Sequence, residues 1–139
     1  MPKLTDTKTL TFILEELGAS INQIRVKNSD LSGPISINMA NIASTTAGYE
    51  NVSKMRASFL VIGPLLAREG YARVSMPGGC AIGTRPVDIH LNGLKTLGAD
   101  IKVEKGFVIA EAKKGLTGNR IQLEKPSVGA TQNLIMAST

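Results

Sequence analysis

Two stretches of this chain, eighty residues apart, are written almost alike. Leu14-Glu15-Glu16-Leu17-Gly18-Ala19-Ser20-Ile21 returns as Leu94-Lys95-Thr96-Leu97-Gly98-Ala99-Asp100-Ile101, with the same apolar spacing and the same Gly-Ala exit. A second echo follows the first: Leu31-Ser32-Gly33 with Ile35 and Ile37 is answered by Leu116-Thr117-Gly118 with Ile121 and Leu123. Self-similarity of this kind marks a structural unit used more than once. The reading is two copies of one α/β unit, about residues 1–76 and 77–139. The chain opens on the helix of one copy and stops inside the helix of the next, so it is expected to be part of a larger protein.

Local signals fill in the elements. Leu10, Ile13, Leu14 and Leu17 share a stripe, predicting a helix over 7–17 with Asp6 as cap and Gly18 as stop. Ile24/Val26 and Ile35/Ile37/Met39 alternate at period two and predict strands. The apolar positions over 53–68 make too wide a stripe for a surface helix, which predicts a single helix buried on more than one side. A strand over 71–76, a Gly/Pro loop over 77–86 and a helix capped by Asp88 and carrying Leu91, Leu94 and Leu97 come next. Strands are expected over 101–104, 107–112 and 120–124, the first two joined at Lys105-Gly106. A last helix begins near Ser127, unfinished at the final residue. Met55 and Met76 read as core packing and Lys113-Lys114 as a solvated turn.

Length and composition narrow the chemistry. With 139 residues and 42% apolar side chains, the chain suits one globular domain or part of one. No run serves as a signal sequence or membrane span, because Glu15 and Glu16 interrupt the apolar stretch over 10–17; a cytoplasmic protein is expected. One cysteine excludes an internal disulfide, and one histidine leaves little material for a zinc site or a Cys-His-Asn triad. The formal charge of +5 favours anionic partners. Nucleic acid fits poorly, since aromatics are only 4% and no basic run exceeds Lys113-Lys114.

Chemistry concentrates in Pro77-Gly78-Gly79-Cys80-Ala81-Ile82-Gly83-Thr84-Arg85-Pro86-Val87-Asp88. Glycines and prolines around a thiol suit a loop that bends closely around a ligand and presents Cys80. Arg85 adds a permanent cation that can hold a phosphate or carboxylate and favour the thiolate. From the residues alone, a functional thiol and an ordinary loop cysteine both stay open. The run Lys125-Pro126-Ser127-Val128 sets a cation and exposed amides at a helix start, which attract a diphosphate, although a simple Ser N-cap would look the same. Arg56 reads as a solvated charge, Asp88 as a cap, and His90 as a first-turn helix residue.

The cysteine loop, together with Lys54-Met55-Arg56-Ala57-Ser58, Gly63-Pro64-Leu65, Leu97-Gly98-Ala99 and Ser127-Val128-Gly129-Ala130-Thr131, closely resembles the UDP-N-acetylglucosamine 1-carboxyvinyltransferases over essentially the whole chain. The resemblance implies an inside-out α/β prism built from repeated βαβαββ units, about two of them partly present here. It implies transfer of the enolpyruvyl group of phosphoenolpyruvate to the 3-hydroxyl of UDP-N-acetylglucosamine with release of phosphate, the first committed step of peptidoglycan synthesis, without metal or organic cofactor. In such enzymes the position of Cys80 protonates the methylene carbon, can bond to the second carbon, and is alkylated by fosfomycin. Arg85 matches an arginine on phosphoenolpyruvate. Arg56 matches a substrate-contacting arginine, and Arg85, Pro86, Val87, Asp88, Ile89, Lys125, Pro126, Ser127 and Val128 match segments that bind the nucleotide sugar.

The resemblance is partial in length. Members of that family are roughly three times as long. Their Lys-Asn pair near the N-terminus and their whole second domain have no counterpart among these residues, so turnover by the chain alone is not expected. Two rivals remain: the sister enzyme 5-enolpyruvylshikimate-3-phosphate synthase, which lacks the Pro-Gly-Gly-Cys loop, and a non-catalytic piece that binds uridine diphosphate sugars.

Overall fold

The computed structural model describes residues 4–23, 34–77 and 87–139. The first helix, α1 (Thr5–Glu16), buries Ile13 and Leu17 and leaves Leu10 and Phe12 exposed. It starts earlier than the sequence suggests: Leu4 holds the N-cap position and Asp6 lies inside the first turn, so the expected Asp6 cap is not formed. After the Gly18 exit, β1 (Ser20–Gln23) pairs antiparallel with β2 (Ile35–Asn38), from Ser20 opposite Asn38 to Gln23 opposite Ile35. The expected strand at Ile24/Val26 lies outside the described residues.

After a short α2 (Tyr49–Val52), where one helix over 53–68 is expected, the chain makes two pieces, a 3-10 helix (Arg56–Val61) and α3 (Ile62–Glu69). Pro64 is the reason. It has no N–H, and its ring opposes the carbonyl four residues back, so the turn before it is wound tighter instead of running through as α-helix. Gly70 closes α3 in the left-handed region at φ +67°.

A four-stranded sheet forms the other layer, in the order β3 (Thr46–Ala47), β4 (Tyr71–Ser75), β6 (Phe107–Glu111), β5 (Asp100–Glu104). β3 runs parallel to β4, and the other pairs are antiparallel. The β5–β6 hairpin turns at Lys105 and Gly106, both at positive φ, the conformation a two-residue hairpin loop requires. One face of the sheet offers Ala72, Val74, Val108 and Ala110, all fully buried, to Ile62, Leu65 and Leu66 of α3. The expected third strand over 120–124 does not form. Ile121 and Leu123 turn partly inward against the core, which accounts for their alternation, but their backbone joins no ladder.

The last two helices are α4 (Asp88–Thr96) and α5 (Val128–Ala137). Asp88 is not the cap of α4: Val87 occupies that position and Asp88 is the first helical residue, where its charge still faces the positive helix end. α5 closes at Ala137 with Ser138 as C-cap, rather than running unfinished. It packs on both α3 and α4. Gly93 makes room for this: a Cβ there would meet the Leu134 side chain at 2.5 Å. Met55 is buried, Met76 packs against the core, and Lys113 and Lys114 are exposed.

Candidate functional site

Two helix starts come together from opposite ends of the sequence. Met55 precedes the 3-10 helix with φ −139° and ψ 112°, and Ser127 precedes α5 with φ −146° and ψ 109°. Each is an extended residue feeding directly into helix. At Ser127 the side chain caps the third amide of α5, Ala130 N donating to Ser127 Oγ at 3.3 Å. The amides of Val128 and Gly129 belong to the first turn, where no intrahelical acceptor exists. They remain available to an anion.

Between these starts and the beginning of α4 lies a cavity of about 540 Å³. Arg56 lines one side, Val87 and Ile89 another, and the run from Lys125 to Val128 a third. Seven of the ten residues matched to substrate-binding positions thus line one cavity. Arg56 and Lys125 bring two cations and, among the described residues, the lining holds no carboxylate, so the cavity is suited to an anion. Asp88 is exposed beside this wall and is not part of the lining. Cys80, Arg85 and Pro86 lie outside the described residues. Among the described residues, no group of three His, Cys, Asp or Glu could hold a metal ion.

The cavity also includes a residue that sequence reasoning assigned only to a helix turn. His90 is half-buried, with its ring edge-on to Phe59 at 5.6 Å between centroids. Burial, helped by the nearby Arg56 charge, lowers its pKa from the usual 6.5, because both disfavour the imidazolium. Behind it stands Asn133, fully buried, which accepts from Gly63 N at 3.0 Å through Oδ1 and reaches His90 Nδ1 at 3.2 Å through Nδ2. Neither Asn133 nor its partner Gly63 was expected to matter. A signal was present: Ala130, Asn133, Leu134 and Ala137 are spaced as one helical stripe, and all four are buried.

Comparison with known proteins places the chain in a family. A family model described as EPSP synthase (3-phosphoshikimate 1-carboxyvinyltransferase) matches residues 1–139. UDP-N-acetylglucosamine 1-carboxyvinyltransferase 1 of Mesorhizobium japonicum is 56% identical over 143 residues, covering 100% of this chain and 33% of its own length. The Gluconobacter oxydans UDP-N-acetylglucosamine 1-carboxyvinyltransferase is 51% identical, again over 100% of this chain and 32% of its own. The chain therefore spans about a third of the length of the curated relatives it matches. Among solved structures, the enolpyruvyl transferase NikO from Streptomyces tendae superposes with a TM-score of 0.72 at 19% identity, covering 98% of this chain and 31% of that one. EPSP synthase from Acinetobacter baumannii gives 0.65 at 19% identity, over 94% and 29%. These two likenesses fix the fold as the α/β fold of enolpyruvyl transferases.

Proposed function

This chain belongs to the family described as EPSP synthase (3-phosphoshikimate 1-carboxyvinyltransferase), and from that membership we propose that it forms part of a UDP-N-acetylglucosamine 1-carboxyvinyltransferase. The observation that carries the reading is the cavity itself. Among the described residues its wall brings together Arg56, Val87, Ile89 and residues 125–128, with two cations, no acid and the open amides of α5. A nucleotide diphosphate sugar needs such a surface: charge and amides for its phosphates, apolar side chains for its base. In this reading Pro86, Val87 and Ile89 wall the uracil, Asp88 meets its polar edge, and Lys125, Pro126, Ser127 and Val128 hold the diphosphate.

The chemistry falls to the loop before Val87. Cys80 gives its thiol proton to the methylene carbon of phosphoenolpyruvate while the 3-hydroxyl of the sugar attacks the second carbon. Loss of a proton and of phosphate then restores the double bond. A thiol is a suitable acid near neutral pH, and its thiolate is a good nucleophile, which accounts for the covalent adduct. Arg85 holds phosphoenolpyruvate. The chain is two related α/β repeats, about 1–76 and 77–139, of an enzyme that needs the remaining length of its relatives for turnover and acts in the cytoplasm.

The test is phosphate release from phosphoenolpyruvate and UDP-N-acetylglucosamine by the protein that contains this sequence. Cys80→Ser should lower the rate by roughly a hundredfold or more. An undiminished rate would place the acid elsewhere. Fosfomycin should add one equivalent at Cys80 when the sugar nucleotide is present, read by peptide mass spectrometry.

A further inference from the structure

The buried pair behind the cavity decides which nitrogen of His90 holds its proton. Gly63 N can only donate, so the Asn133 atom it meets must be the carbonyl oxygen, and the atom turned towards His90 must be the amide nitrogen. An amide N–H₂ is a donor. His90 Nδ1 must therefore offer a lone pair, and the proton of the neutral ring sits on Nε2.

The ring is held in this attitude from several sides. Phe59 packs edge-on against it, and Gly129, in the first turn of α5, leaves space beside Cε1 and Nε2, which a Cβ there would meet at 3.3 and 3.4 Å. Arg56 flanks the same wall and discourages a second proton. His90 Nε2 has no hydrogen-bond partner among the described residues, and the ring lines the cavity beside the open amides of Val128 and Gly129.

We infer that His90 is a ligand-binding residue of this cavity, donating Nε2–H to an anionic oxygen of the diphosphate, and that Asn133 is the positioning residue that fixes its tautomer without touching the ligand. The inference rests on the nucleotide-sugar reading given above. It deepens that reading by adding a neutral donor between two cations. A neutral donor distinguishes an oriented oxyanion from a diffuse negative charge, which neither Arg56 nor Lys125 does by charge alone.

His90 is the one histidine of these 139 residues, and in the protein that contains this sequence its ring signals are assigned by their loss in His90→Phe. The experiment is a long-range proton–nitrogen spectrum of that ¹⁵N-labelled protein, free and titrated with UDP-N-acetylglucosamine, with calorimetry on the same sample. The free ring should be in the Nε2–H form, and the nucleotide sugar should shift the Nε2 resonance while uridine, which has no phosphate, leaves it in place. An Nδ1–H ring, or a ring unmoved at calorimetric saturation, would overturn the inference while leaving the nucleotide-sugar reading intact. Absence of binding would overturn that reading itself. Asn133→Asp, which keeps shape and the Gly63 bond, should pull a proton onto Nδ1 and raise the ring pKa; a merely structural Asn133 would leave both unchanged. His90→Phe should weaken binding by roughly tenfold, the loss of one charge-assisted hydrogen bond, and His90→Gln should recover part of it.

Discussion

The exits of α1 and α4 are the same object built twice. Leu17 N donates to Ile13 O at 3.0 Å and Ala19 N to Leu14 O at 2.8 Å; Leu97 N donates to Gly93 O at 3.2 Å and Ala99 N to Leu94 O at 3.1 Å. The glycine between them sits at φ +112° in one copy and +94° in the other. Even the returning chain docks alike, Ala43 N donating to Leu17 O at 2.9 Å and Thr117 N to Leu97 O at 2.8 Å. Beyond this point the copies part. β1 finds β2 in a sheet of two strands, whereas β5 turns straight back into β6 and joins the four-stranded sheet. The helix exit follows from four or five local residues; the sheet partner depends on what lies between the strands, and only the second copy places a Lys-Gly turn there.

The resemblance of the two exits is deepest where it is most fragile, and substitution there should break it unequally. A Cβ at Gly18 would meet the backbone nitrogen of Ala43 at 2.6 Å, which cannot rotate away. Gly18→Ala should therefore cost about 3 kcal/mol, combining left-handed strain with a backbone clash, read as a lowered denaturation midpoint. At Gly98 the obstacle is only the Thr117 hydroxyl at 2.9 Å. Gly98→Ala should cost about 1–2 kcal/mol, mostly the conformational strain. Part of that should return when Thr117→Ala is added, as non-additivity in a double-mutant cycle. Equal losses at the two glycines would show that backbone strain alone governs both, and that the docking of the returning chain contributes nothing.

The smallest expected difference concerns acid. Under the eighty-residue offset His90 stands where the first copy has Leu10, so only the second copy contains a group that titrates near neutrality. The fold lowers its pKa, and the unfolded chain, at the ordinary 6.5, binds the proton more readily. Its neutral form is fully accommodated above 6.5, and stability falls as the pH drops below that value until the folded pKa is passed. Denaturant melts of the native chain and of His90→Phe should diverge over this range, with the variant less sensitive. Parallel curves would mean that the ring is no better accommodated neutral than charged.

Sequence reasoning read the exits, the Lys105-Gly106 hairpin and the Ser127 cap because each is settled by neighbours within a turn. It misjudged the stretch over 53–68, where apolar spacing outweighed the single proline that divides it. The alternation at Ile121 and Leu123 was real as burial but silent about pairing, since period two reports which side faces the core and not whether another strand lies alongside. Asp6 and Asp88 have the right chemistry for capping, one or two positions too far along. The candidate site was written as separate motifs at Arg56, at Val87 and Ile89 and at 125–128, and the cavity these residues line is a tertiary fact. Asn133 escaped because its importance comes from Gly63, seventy residues away, a separation no local pattern encodes.

That one side chain ties the cavity to the architecture of the whole chain. Gly63 N, in the helix that covers the sheet, and His90, in the wall of the cavity, share the amide of Asn133, so neither can shift without disturbing the other. Occupancy of the cavity and integrity of the core are thereby linked quantities. A ligand that selects the assembled wall stabilises the fold by RT ln(1 + [L]/Kd), about 2.7 kcal/mol at a hundredfold excess over Kd. Any ligand that fills the cavity would in this sense act as a structural member, raising the resistance of the surrounding fold to unfolding whenever its concentration is high.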